Sequence, residues 1–305
     1  MKQAALTIDL DTIASDIAGG DGPESGLRRL SYARAVPRLL DLLDSAGIKA
    51  TFFALGADAA DPECAALIHR IVLEGHEVGS HGLTHDRNLA LRPPEELRRD
   101  LLLADGLIAA AAGKKPRGFR APGAFLSADL LLALGEAGYA YDSSVNASFI
   151  YNFSKAAYGA FKGVKLPALY AFGVPDGPYR PSAENFLERA ARDKAGLVEF
   201  PLTTIPVFSL PFMNYFLMRL GPLGKGLAAF AALRRPFINY VLHDHELLAA
   251  SDFEGAPTGS GLTAASLGKD LAGRLNFIKY TLRALKRSHS FATLETYARE
   301  IRDAG

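Results

Sequence analysis

Strand-like runs recur along this chain with helix-length segments between them, and that alternation narrows the possible folds more than any other feature. The runs are Ala4 to Leu10, Ile48 to Leu55, Glu77 to Ser80, Gly118 to Ala121, Tyr139 to Ser143, Leu197 to Leu202 and Phe237 to Leu242. Helical patterns separate the first five. One covers Val36 to Ala46, with Leu39, Leu40, Leu42 and Leu43. Another begins near Pro93, where Glu95 and Glu96 suit the positive end and Leu97, Leu101, Ala104 and Ile108 follow at helical spacing. Parallel strands need crossovers of this length, so the pattern predicts β-α-β units around a parallel sheet. Five or more such units predict an α/β fold, a distorted (β/α) barrel whose chemistry gathers at the C-terminal ends of its strands.

A single domain over residues 1–305 accommodates the whole pattern. Asn146 to Pro181, rich in Tyr, Phe, Pro and Gly and without a clear helix, reads as an insertion over the barrel mouth. Apolar residues make up 49% and charged residues 22%, a balance that predicts folding throughout. Lys plus Arg (34) nearly cancels Asp plus Glu (33) and no basic run occurs, so a nucleic-acid partner is not expected. The one cysteine, Cys64, lies in an Ala-rich helical stretch and asks for no oxidising compartment. Met1-Lys2-Gln3 leads straight into a strand with no export signal, so the expected location is the cytoplasm.

Chemistry-bearing residues fall at the strand ends. Asp9 and Asp11 alternate onto one side of the first strand, either as a cap and a solvated acid or as a pair with a cation between them. His81 and His85, four apart after the third strand, can converge on one ion. With one strand-one carboxylate they make a two-His, one-acid set that leaves positions open for water and substrate. Arg120 ends the fourth strand beside those carboxylates, and Asp142 ends the fifth. His243 closes a late strand, where an imidazole suits proton transfer near neutral pH. His245 is the second candidate for that role. His69, His76 and His289 read as surface or satisfied core residues.

In chain order, Asp9-x-Asp11, His81-x-x-x-His85, Arg120-x-Pro122, Asp142 and Leu242-His243 resemble the five motifs of the polysaccharide deacetylase family, carbohydrate esterase family 4. The resemblance spans Ala4 to His243. Its opening, with the loop Gly19-Gly20-Asp21-Gly22, and the tracts Gly196 to Pro201 and Tyr240 to His243 are most similar to the intracellular peptidoglycan deacetylase and allantoinase-related branch. The resemblance implies that Asp9 is the general base and that Asp11, His81 and His85 hold one divalent metal ion, Zn2+ by ligand type. It further implies that His243 is the general acid, that Arg120 orients Asp9, that Asp142 orients or tunes His243, and that Gly123 meets the substrate. The implied reaction is removal of an acetyl or formyl group from an amino sugar of a cell-envelope glycan or a lipid-linked sugar. Two other readings remain open: hydrolysis of a small cyclic amide or ureide, and non-catalytic carbohydrate binding. The chain departs from the family at the adjacent Asp-Asp-Gly of the first motif, at Gly82 and Gly123, and in having no tryptophan.

Phe200 to Met218 contains no charge, and Pro201, Pro206 and Pro211 interrupt it as a membrane span. It reads either as a buried strand followed by a core helix or, with Phe208, Phe212, Met213, Tyr215, Phe216 and Met218 bordered by Arg219, Lys225, Arg234 and Arg235, as a peripheral membrane contact through 205–235.

Overall fold

The computed structural model describes residues 2–11, 25–153, 174–182, 187–190, 196–253 and 270–303. The loop at Gly19 to Gly22 and much of the expected insertion lie outside these. The sheet is built on β1 (Lys2–Asp9), which pairs in parallel with β9 (Phe237–His243) from Gln3↔Phe237 to Asp9↔His243. Its last three residues also pair with β2 (Thr51–Ala54), and its first three with β10 (His289–Phe291). From β2 the parallel sheet continues through β3 (Glu77–Ser80), β4 (Gly118–Phe119), β5 (Tyr141–Asp142) and β6 (Val198–Glu199). His289 is the first residue of the last strand. The sheet curls without a ladder between β6 and β9. Across that gap the Asn239 amide donates to the Phe200 carbonyl at 3.3 Å and to Ser143 Oγ at 2.9 Å.

Helices cover the curled sheet: α1 (Ser25–Ala46), α2 (Gly56–Ala59), α3 (Pro62–Leu73), α4 (Pro94–Ala112) and α5 (Ala128–Glu136) in the first half. The second half supplies α6 (Asn214–Arg219), α7 (Pro222–Arg234), α8 (Leu271–Lys286) and α9 (Leu294–Asp303). The first helix begins eleven residues before Val36. Pro37 mimics a first-turn signal, but Tyr32, Ala35, Val36, Leu39 and Leu43 form one buried stripe that carries the helix through it. Burial of each large apolar side chain in such a stripe stabilises by roughly 1.5–3 kcal/mol, enough together to offset an interior proline at ~3 kcal/mol. Start and stop signals elsewhere are local. Asp61 accepts from the backbone N–H groups of Glu63 and Cys64 at the head of α3, and Gly113, at φ 74°, ends α4.

Close strand packing sets the sheet's curl. A Cβ on Gly118 would lie 1.8 Å from the Tyr141 ring, so only glycine admits the neighbouring strand's aromatic. Below it the buried Glu77 accepts from Tyr141 Oη at 2.5 Å, Thr51 Oγ1 at 2.7 Å and the Glu295 N–H at 2.9 Å. These bonds tie the early strands to the C-terminal helix at the end of the sheet opposite the mouth, where stability is the expected role.

The uncharged segment divides. Phe200, Leu202, Ile205, Phe212, Leu217 and Met218 are buried, which fits the core reading. The expected single strand and helix are instead a two-stranded hairpin, β7 (Thr204–Ile205) with β8 (Leu210–Pro211), followed by α6. The membrane reading needs correction at Phe212 and Met218, which face the core, and at Arg235. The last is buried and donates to the Thr204 carbonyl at 2.9 Å. No described helix is long and apolar enough to cross a membrane. Asn146 and Asn152, both in glycosylation-type sequons, are buried and bonded to each other's segment, the Asn152 amide donating to the Asn146 carbonyl at 3.0 Å.

Candidate active site

Four strand ends deliver the site. Leu10 donates its N–H to the Phe53 carbonyl at 3.0 Å, which extends the β1 alignment just past Asp9 and carries Asp11 into the mouth. His81 donates its backbone N–H to Ala54 O at 2.8 Å, and Arg120 donates its own to Ser80 O at 3.0 Å. His81 and Arg120 are thus each the first residue beyond a short strand, fixed by a ladder bond to the neighbouring strand, while Asp9 and His243 end β1 and β9.

The two histidines project from a turn rather than a helix. Gly82, at φ 81°, takes the left-handed conformation that a Ser or Thr would resist, and its carbonyl accepts from Gly56 N–H at 2.9 Å. Asp100 accepts from Leu83 N–H at 3.2 Å, and the turn closes with His85 itself at φ 58°. His81 Nε2 comes within 3.1 Å of Asp11 Oδ1, and His85 Nε2 within 3.8 Å of Oδ2. Ligand-capable atoms of Asp11, His81 and His85 all lie within 4.8 Å of one another, and all three residues are buried.

That donor set fits one divalent ion with open positions. His81 Nδ1 lies 2.7 Å from the Arg120 carbonyl. A carbonyl can only accept, so Nδ1 carries a proton there, and Nε2 is the atom turned to Asp11 and the one an ion would take. Burial by itself would raise the Asp11 carboxyl, but the His85, His81 and His243 imidazoles hold it well below the usual carboxylate range. The structure thus keeps Asp11 ionised.

Asp9 and Asp11 do face one side, with positive partners between them. Buried Arg120 donates through Nη1 to Asp9 Oδ1 at 2.6 Å, through Nη2 to Thr7 Oγ1 at 3.0 Å and to Ser143 Oγ at 2.9 Å, and through Nε to Ser143 O at 2.9 Å. Its guanidinium carbon stands 4.4 Å from the Phe53 ring centroid. A guanidinium so fully bonded holds one Asp9 oxygen in place and leaves the other to face the mouth. His243 Nε2 is 3.9 Å from that second oxygen and 3.8 Å from Asp11 Oδ2.

Asp142 corrects the expectation. Its carboxylate accepts from Ser144 Oγ at 2.7 Å and from Ser144 N–H at 3.2 Å, and its register partner on β6 is Glu199. Strand alternation sends Asp142 to the Glu199 side instead of to His243. Burial and then the Asp142 charge push the Glu199 carboxyl well above its ordinary range, so the pair retains a proton.

The partner of His243 is Glu246, which sequence reasoning missed. Glu246 Oε1 accepts from the His243 N–H at 2.9 Å and lies 3.4 Å from Nδ1, while Asn214 Nδ2 bonds Oε2 at 2.5 Å and Tyr240 Oη donates to Asn214 Oδ1 at 2.6 Å. The signal was present: a Glu three residues past a capping position is a capping-box spacing, here with histidine as the cap. Burial would depress the His243 imidazole. The Glu246 hydrogen bond and the Asp11, Asp9 and Glu246 charges lift it instead to about 10. His245 stacks on His243 with centroids 5.2 Å apart and turns Nδ1 toward Asp244 at 3.9 Å. Gly123, at φ 61°, lies at the mouth with its carbonyl accepting from Tyr151 Oη at 2.8 Å. His76 is a satisfied core residue that accepts from Ala50 N–H, whereas His69 is exposed.

The sequence profile of the polysaccharide deacetylases matches residues 21–141. A chitooligosaccharide deacetylase from Bradyrhizobium is 39% identical over 106 residues, 34% of this chain and 47% of that protein. A peptidoglycan deacetylase from Helicobacter pylori is 32% identical over 149 residues, 46% of this chain and 48% of that one. The chain therefore spans about half the length of the curated relatives it matches. In fold, it superposes on a Mycobacterium smegmatis protein provisionally named a polysaccharide deacetylase, with TM-score 0.62 at 20% identity over 99% of this chain and 91% of the other. A Bacillus anthracis pseudoenzyme of the CE4 family gives TM-score 0.51 at 15% identity over 98% and 66%.

Proposed function

Because the chain carries a polysaccharide deacetylase family domain, we propose that it is a metal-dependent hydrolase that removes an acetyl or formyl group from the nitrogen of an amino sugar. The observation that carries this reading is the convergence of Asp9, His243 and the Asp11, His81, His85 cluster on one buried mouth. A CE4 pseudoenzyme shares this fold, so the side chains at the mouth have to decide between catalysis and binding. Here base, acid and ligand set are all occupied by competent residues, which favours catalysis over carbohydrate binding alone.

Asp11, His81 and His85 would hold a divalent ion, zinc by ligand type, which when bound acidifies water and polarises an acyl carbonyl. Asp9 accepts a proton from the attacking water as its oxygen adds to the acyl carbon, while Arg120 keeps the carboxylate aimed. His243 Nε2 gives its proton to the sugar nitrogen as the C–N bond breaks, and the products are a carboxylic acid and a free amine. Glu246 keeps the imidazole oriented and charged until that transfer. The reaction balances with one proton taken by Asp9 and one delivered by His243.

A glycan of the cell envelope and a lipid-linked amino sugar both present the required amide. The second reading, a small cyclic amide or ureide, is favoured by one feature, the absence of any tryptophan to wall a long groove. Incubating the zinc-loaded protein with N-acetylated and N-formylated chitooligosaccharides, peptidoglycan fragments and allantoin, and measuring released acetate, formate or ring-opened product, separates the two. The single cysteine, Cys64, calls for no oxidising compartment, and a cytoplasmic location is part of the proposal.

A further inference from the structure

Two segments that leave adjacent strands at the mouth come together to expose large apolar side chains. After β5, the helical residues 149–153 present Phe149 at 53% exposure, Ile150 at 47% and Phe153 at 65%, with the two phenylalanine rings stacked at 6.3 Å. After β6, the hairpin β7–β8 turns through Val207, 86% exposed, and Phe208, 58% exposed. The Phe149 N–H donates to Ser209 O at 3.2 Å, and Asn146 bridges Leu202, so the two apolar tips form one lip. Tyr151, between them, bonds Gly123 and ties the lip to the active-site mouth.

The backbone is bent to make this exposure. Val207 sits at φ 73° and Ser209 at φ 47°, and a β-branched side chain in the left-handed region is an outlier that costs energy. The turn spends that energy on pointing Val207 and Phe208 outward while Ile205 and Phe212 on either side go into the core.

Charge identifies the partner. Between Asp142 and Asp176, and again between Glu199 and Asp244, the sequence holds no acidic residue, although the whole chain has 33. The charged residues of the same stretches are all cations, including the exposed Arg219 and Lys225, and exposed Arg87 runs beside Gly123. A neutral glycan gives no reason to exclude acids from both segments at once. An anionic bilayer does, since it repels carboxylates, attracts Lys and Arg, and takes up exposed Phe, Ile and Val side chains. We propose that the 149–153 turn and the 206–209 hairpin tip form a lip that rests on an anionic membrane surface with the mouth facing the headgroups. This inference is independent of whether the site deacylates amino sugars.

The test is sedimentation of the full chain with vesicles of phosphatidylcholine alone and with one-third phosphatidylglycerol, at low and high salt. The wild type is expected to pellet with the anionic vesicles at low salt, with salt and neutral lipid each weakening the association. Phe149→Ser with Phe208→Ser, both solvent-exposed, is expected to lower binding on the order of tenfold with an unchanged circular dichroism spectrum. Phe208→Ser alone supplies the comparison should the double variant misfold. A wild type that stays in the supernatant, or equal pelleting of the variants, overturns the proposal. So does binding that ignores lipid charge and salt. Because the readout is binding, a failure here is distinct from a failure of the hydrolase reading.

Discussion

Asp9 and His243 stand at the same register level on the adjacent parallel strands β1 and β9, and His243 Nε2 lies 3.9 Å from Asp9 Oδ2. The backbone ladder thus places a proton acceptor and a proton donor side by side at one rim. In hydrolysis they would act on the two ends of one reaction, the water and the leaving nitrogen.

Asp9→Asn keeps the shape and the Arg120 contact through the amide oxygen but cannot take a proton. Turnover is expected to fall on the order of 10² to 10⁴-fold while metal content is unchanged. Steady-state kinetics with metal analysis on the same preparation reads both, and undiminished turnover would assign the base to another group.

Glu246→Gln and Asp142→Asn separate the two carboxylates as partners of the acid. His243 must be protonated to act, so activity is lost as pH rises through its pKa, which Glu246 helps to hold up. Removing that charge lowers the pKa and moves the basic limb of the kcat profile to lower pH. Asp142→Asn leaves the limb where it was, because its carboxylate faces Ser144 and Glu199. The opposite pattern would restore Asp142 to the role implied by the family resemblance.

His243→Ala should cost more turnover than His245→Ala, because only His243 faces Asp9 and Asp11. The comparison is best made with a substrate whose leaving amine is strongly basic, where protonation matters most. Equal losses would mean that the stacked imidazoles act as a unit.

Asp58 makes a stability prediction. It is buried, and burial pushes its carboxyl up to about 7 against the opposing influence of Arg28, 3.7 Å away. The folded state therefore binds a proton more tightly than the unfolded chain, so stability falls as pH rises from near 4 through 7. Asp58→Asn, which resembles the protonated form, should gain over the wild type by ~1 to a few kcal/mol at pH 8 and by nothing near pH 4. Urea unfolding at the two pH values measures the difference, and a variant less stable at pH 8 would show that the Arg28 pair outweighs desolvation.

Most of the sheet was legible because each strand is an apolar run behind a glycine or turn, and the meeting of Asp11, His81 and His85 because parallel strands put their ends at one rim. The start of α1 was not, since Pro37 imitates a first turn and only the buried stripe from Tyr32 shows that the helix continues. Nor was the fate of Asp142, which depends on its register partner Glu199, a residue far along the chain. Phe208 and Phe212 are indistinguishable in an uncharged run. The left-handed turn at Val207 sends one to solvent, and the core takes the other.

The proposed hydrolase activity stands or falls on a single divalent ion held by Asp11, His81 and His85. Its most direct test strips metal from the wild type and from Asp11→Ala, adds zinc back in stoichiometric steps, and follows bound metal together with acetate or formate released from N-acylated chitooligosaccharides. About one equivalent is expected to bind the wild type, with turnover rising in proportion to it, and neither is expected in the variant. Full turnover by the stripped protein, or equal metal content in Asp11→Ala, would contradict it.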